Sequence, residues 1–130
     1  MSITIVKAAI IGRLKETPGI VYQGDSVPVV DPASTDAGNL PDLHITNPIV
    51  NANFVNHKGS FDYNGTADIV VYALTTQYGD GVTLDVCELI RQCLSDWKPP
   101  EVTTFLPVEV TELPPLEKYR SASIRFDWIT

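Results

Sequence analysis

The sequence predicts an α+β domain in which an antiparallel sheet of four to five strands carries two helices packed on one face. Three observations lead there. Ala67, Ile69, Val71 and Ala73 alternate with Asp68, Val70, Tyr72 and Leu74, so this segment is largely apolar on both sides and belongs inside a sheet. After a Gly-punctuated connection, Val86, Ile90, Cys93 and Trp97, joined by Leu89 and Leu94, form one broad apolar face at helical spacing, with Asp85, Glu88, Gln92 and Ser95 turned outward. At the end of the chain Ala122, Ile124, Phe126 and Trp128 alternate with Ser121, Ser123, Arg125 and Asp127, the period-two pattern of a half-buried strand.

The other elements follow in chain order. Ser2 or Thr4 can cap an amphipathic first helix whose Ile3, Val6, Ile10 and Leu14 recur every three or four residues and face a core. It ends at Glu16 or Thr17, because Pro18-Gly19 cannot continue it. Ile20, Val21 and Tyr22 make a short strand. From residue 24 to 42 Asp, Ser, Gly and Pro dominate, which predicts a long irregular loop with a fragment of extended chain at residues 27–30. Loops of such length in compact domains are commonly functional. Leu43 and Ile45, then Val50, Ala52 and Phe54, mark a strand interrupted or bulged at Pro48 and near a sheet edge there. Asn56-His57-Lys58-Gly59 and Asn64-Gly65 both have turn chemistry. The extended pattern of Phe61 and Tyr63 favours a turn at residues 56–60, with Asn64-Gly65 as a bulge in the returning strand. Asp80 or Thr83 can cap the second helix, residues 82–97, which Pro99-Pro100 ends. Leu106, Val108 and Val110 against Glu109 and Thr111 mark an extended segment, and Pro114-Pro115 predicts a loop at residues 113–118.

A single domain over residues 1–130 suits this length. With 44% hydrophobic and only 19% charged residues, the chain has apolar surface to spare for association. A net charge of -7 argues against a nucleic-acid clamp, since phosphate binding is built on Lys and Arg, but it suits a wall that DNA slides past. The apolar start, interrupted by Lys7 and Arg13 and followed by no small-residue cleavage site, reads as a helix and not a secretion signal, and nothing approaches a membrane span. A cytoplasmic site of synthesis and use is expected. Cys87 and Cys93 point about 120° apart on their helix, cannot bridge within it, and are expected as reduced core residues.

Chemistry-bearing patterns are weak. His44 and His57 form no recognisable zinc set with the cysteines, and Asp62, Asn64 and Asp68 around Gly65 miss the spacing of a calcium loop. Asn64-Gly65-Thr66 matches a glycosylation acceptor but reads as turn chemistry, and no acid pair is placed as a dyad. No enzyme activity, metal or cofactor is expected.

The order of elements resembles the tail terminator proteins of long-tailed bacteriophages, related to the minor tail and tail completion proteins. The resemblance rests on an N-terminal helix leading into Gly19-Ile20-Val21-Tyr22-Gln23-Gly24, and on a Pro- and Asp-containing loop entering a strand at residues 43–46. It continues through a long hairpin ending in the two-sided apolar strand of residues 67–74, the helix at residues 82–97 and a closing strand at residues 121–129. It implies a structural virion protein that forms a six-membered ring at the head-tail junction, after assembly in the host cytoplasm. The ring would bind the tail tube protein to end tail growth, present a surface to the head connector, and let DNA pass without specific binding. The family brings no catalytic residues. Contacts are expected in loops: Val27, Val29 and Val30, which either dock on a neighbour or fold back on their own core; Tyr78 and Asp80 between strand and helix; and His57 and Lys58 at a hairpin tip. The alternative is a non-enzymatic α+β binding module, or a head-completion protein of similar size.

Overall fold

A computed structural model describes residues 3–31, 33, 37–57 and 60–130, with residues 37, 54–57 and 60–62 described by backbone alone. Helix α1 (Ile3–Lys15) buries Val6, Ile10 and Leu14, the expected stripe. Thr4 sits inside this helix, and Ser2 lies outside the described residues. The helix is less amphipathic than its buried stripe predicts, because Ile3, Ile5, Ala8 and Gly12 are exposed on its outer side. Strands β1 (Val21–Tyr22) and β2 (Asp25–Ser26) form a hairpin through Gln23-Gly24, whose φ values of +51° and +86° have the sign that both central residues of a type I′ turn require.

The segment predicted as an irregular loop thus holds β2, a further strand β3 (Val29–Val30) and a 3-10 turn at Ala37–Asn39. β3 runs parallel to β4 (Leu43–Thr46), with Val29 opposite Ile45. The sheet is therefore mixed and has six strands, in the order β3-β4-β6-β8-β7 with β5 (Ile49–His57) also on β6 (Ser60–Leu74). This corrects the expectation of four or five antiparallel strands. A two-residue strand paired to a segment sixteen residues on leaves no local period to detect.

β4 and β5 are one long strand broken at Asn47-Pro48: three residues separate Ile45 from Ile49 while two separate their partners Val71 and Asp68, which is a one-residue bulge at the sheet edge. The hairpin pairing continues to His57 opposite Ser60, so the chain reverses within residues 56–60. Asn64-Gly65 is not bulged, since Ala52, Gly65 and Trp128 lie opposite one another in unbroken register. β6 is central, flanked by β4 and β5 on one side and β8 (Tyr119–Ile129) on the other.

Helix α2 (Val82–Cys93) begins at Gly81, which has φ +88° and no side-chain cap; Thr83 is buried in the first turn, and Asp80 pairs with Arg120 instead of capping. The helix is shorter than predicted. After Leu94 the chain turns through Asp96, with φ +56°, and Trp97 leaves the helix to meet Phe105 edge-on at 5.7 Å. The predicted loop at residues 113–118 is mostly strand: β7 (Thr104–Leu116) runs through Pro114-Pro115 with register shifts around Val108 and after Leu113, leaving the reversal to Glu117-Lys118. An edge strand has no outer ladder to lose, so prolines survive there.

Both helices pack on one face of the sheet. Their buried residues join Ala67, Ile69, Val71 and Ala73 of β6 and Ala122, Ile124, Phe126 and Trp128 of β8 in one core. Across the helix layer, α1 neighbours β3 and β5 whereas α2 neighbours β6, β8 and the start of β7. Arg13 links the two helices, its Nε donating to the Cys93 carbonyl at 3.2 Å, one of the orphan acceptors at the end of α2.

Candidate functional site

Two surfaces stand out on this scaffold. The first is the outer edge of the sheet at β7, where only Phe105 is buried, held face to face with Phe126 at 4.8 Å and capped by Trp97. Beyond Phe105 the helix layer stops. Leu106, Val108, Val110 and Leu116 are then exposed, on both sides of the strand. Val110 lies opposite the buried Ile124, so the core-facing side of the sheet continues outward without a cover. Among the described residues no strand pairs with the outer edge of β7. Large apolar side chains gathered along one unpaired edge make this strand the candidate surface for contact with another molecule.

The second surface is the sheet face that no helix covers. There Arg125 spans three strands, its Nε 2.8 Å from Asp68 Oδ1 and its Nη1 3.8 Å from Glu109 Oε1. At one end a hollow of about 510 Å³ is lined by Leu40, His44, Tyr72, Leu116, Lys118 and Tyr119. His44 stacks on Tyr72 at 5.3 Å between ring centres and meets Tyr119 edge-on at 5.8 Å. Its Nδ1 lies 2.8 Å from the Pro41 carbonyl. Burial, at 2% exposure, pushes the His44 pKa down from its usual value and outweighs the Pro41 hydrogen bond, which acts the other way. Burial among aromatics disfavours the charged form of the ring, which is placed for stacking.

That depression has a testable sign. The unfolded chain takes up a proton on His44 below its ordinary pKa of about 6.5, and the folded chain resists it, so stability is complete above that pH and falls as pH drops toward the lowered folded value. Urea unfolding at pH 7.5 and 5.5 is expected to show a smaller loss for His44→Gln than for the parent. An equal loss in both would remove His44 as the cause.

The loop residues expected to make contacts are placed differently from one another. Val27 is 5% exposed and belongs to the core, and Val29 is half-buried against it, so these valines fold back on their own domain; Val30 is half-buried in β3. Tyr78 packs partly against the core, its N–H bonded to the Leu74 carbonyl at 3.0 Å. Asp80 is exposed and joined to Arg120 of β8, which ties the connection before α2 to the sheet. Lys58 and the side chain of His57 lie outside the described residues. Among the described ones, Val27 and Tyr78 line one hollow together with Tyr22, Pro28, Pro41 and Leu43.

The β7 edge was missed as a site although its alternation was visible, because periodicity reports a strand and not its place in the sheet. Its signal was the presence of Leu106, Val108 and Val110 in a segment bounded by prolines. Cys87 and Cys93 are free; burial pushes the Cys87 thiol up to about 12, and Cys93 Sγ donates to the Arg13 carbonyl at 3.8 Å. Among the described residues no cluster of three metal-ligating side chains occurs, and no helix is long and apolar enough to cross a membrane. The chain matches no protein-family model, and no curated protein is significantly similar to it.

Proposed function

We propose that this chain is a ring-forming structural protein of the tail terminator type, which caps a phage tail tube, ends its growth and offers a joining surface to the head. The observation that carries the reading is the β7 edge, a 13-residue strand whose apolar side chains project past the helix layer and are left exposed among the described residues. The mixed sheet with both helices on one face supports it, because such a subunit has two dissimilar lateral edges, and joining unlike edges gives closed rings where the rotation permits. The net charge of -7 suits a channel that DNA crosses without adhering.

Inactivating the gene in its phage is expected to leave tails of unregulated length with no heads attached, scored by electron microscopy of lysates, with the protein supplied in trans restoring uniform length. Normal tails without it would overturn the reading. The second reading, a non-enzymatic binding module, draws on the aromatic hollow around His44, Tyr72 and Tyr119.

A further inference from the structure

The two lateral edges of the subunit are complementary to each other. β7 holds Glu109 and Glu112 and no cation, whereas α1, at the far side of the helix layer, holds Lys7, Arg13 and Lys15 and no acid. Glu16 takes Arg13 at 3.1 Å and Arg125 reaches Glu109 at 3.8 Å, while Lys7, Lys15 and Glu112 form no ion pair among the described residues. Three of the nine cations of an acidic chain thus lie on one helix.

Shape and hydropathy follow the charge. β7 is a ridge, with Leu106 59% and Val108 53% exposed. Beside α1 is an open hollow of about 580 Å³, at the break between β4 and β5, lined by Ile3, Lys7, Asp31, Asn47, Pro48 and Ile49. Ile49 is 59% exposed there, and the partly exposed Ile3 and Ile5 extend the apolar area along α1. Glu109 and Glu112 flank the valines of the ridge as Lys7 flanks the isoleucines of the hollow. Pro107, Pro114 and Pro115 limit strand addition along β7, which leaves side-chain docking as its mode of contact.

We infer that the β7 ridge of one copy seats in the hollow beside α1 of the next, a head-to-tail contact between unlike surfaces of a second copy of this chain. The inference rests on the proposed ring and names the contact that builds it. Each copy keeps one free ridge and one free hollow after joining, so addition continues until the chain of subunits closes. Opposite charges at the rim set register and speed encounter, and the apolar centre holds the contact.

Val108→Glu blocks the ridge at a bulge position, and Ile49→Glu blocks the hollow. By sedimentation up to about 1 mM protein, the parent is expected to form assemblies larger than dimers, and each variant to stay monomeric with an unchanged far-ultraviolet circular dichroism spectrum. An equimolar mixture of the two variants then yields a capped pair of twice the 14.3 kDa chain mass, because one supplies an intact ridge and the other an intact hollow. Variants that assemble like the parent, or a mixture that stays monomeric, overturn this contact and leave the ring standing. A parent that is monomeric throughout overturns both. If either variant misfolds, Leu106→Glu and Ile3→Glu replace it, at exposed positions on the same two edges.

Discussion

Replacing Trp128 with alanine is expected to lower stability by about 3–5 kcal/mol, a large share of the roughly 5–15 kcal/mol that holds a domain of this size. Trp128 is 1% exposed, lies opposite Gly65 of β6 and Phe105 of β7, and belongs to the same buried core as Phe105 and Phe126. Truncation leaves a cavity that two strands and their aromatic rings cannot collapse to fill. Phenylalanine at the same position is expected to cost far less than alanine. It keeps most of the ring and deletes the indole Nε1–H, a buried donor with no partner among the described residues, whose desolvation opposes folding. Urea unfolding midpoints of the two variants measure the contrast, and equal losses would refute the cavity argument.

Gly65→Ala is expected to destabilise by about 2 kcal/mol or more, even though alanine restricts the unfolded chain and would gain about 0.4–1 kcal/mol at a permissive site. Here the obstacle is space. A Cβ on Gly65 would overlap the Asn51 carbonyl oxygen and come within 2.8 Å of Trp128 Cζ2. The oxygen belongs to the paired backbone of β5, so relief requires moving a strand. Because both substitutions disturb the Trp128 ring, their costs should not add in the double variant. Unchanged stability of Gly65→Ala in urea would show that the strands part easily at this point.

These two positions show where the sequence could be read and where it could not. The alternation of β8 placed Ala122, Ile124, Phe126 and Trp128 on one face, and all four are in the core. β6 was legible for the same reason, since residues apolar on both sides belong in the middle of a sheet. Gly65 misled, because Asn-Gly is turn chemistry and nothing local reveals that an indole lies across it. Pro114-Pro115 misled likewise, since the tolerance of an edge strand for proline depends on partners far along the chain. The cap of α2 failed on a competing bond, with Asp80 drawn to Arg120 while Gly81 took the left-handed conformation at the helix start.

The candidate surface was harder to see than the fold. Val27, an apolar residue in a polar loop, could dock on a neighbour or fold back on its own core, and folding gives it an apolar environment within the domain. Residues that find no such environment are those past the end of the helix layer, on β7, and those on the outer side of α1. Which these are depends on strand order and on how far two helices reach across six strands. Once that is fixed, the chain presents an acidic apolar ridge at one side and, at the other, an apolar hollow beside a basic helix. The proposed assembly would cover those two edges.

The most direct test of that account is the mass and shape of the parent protein in solution, measured by sedimentation across a concentration series and by electron microscopy of the concentrated sample. The account predicts closed rings whose mass is a multiple of 14.3 kDa, six copies on the terminator reading, with a central channel. Monomers at every concentration, or two-fold dimers that grow no further, would contradict it.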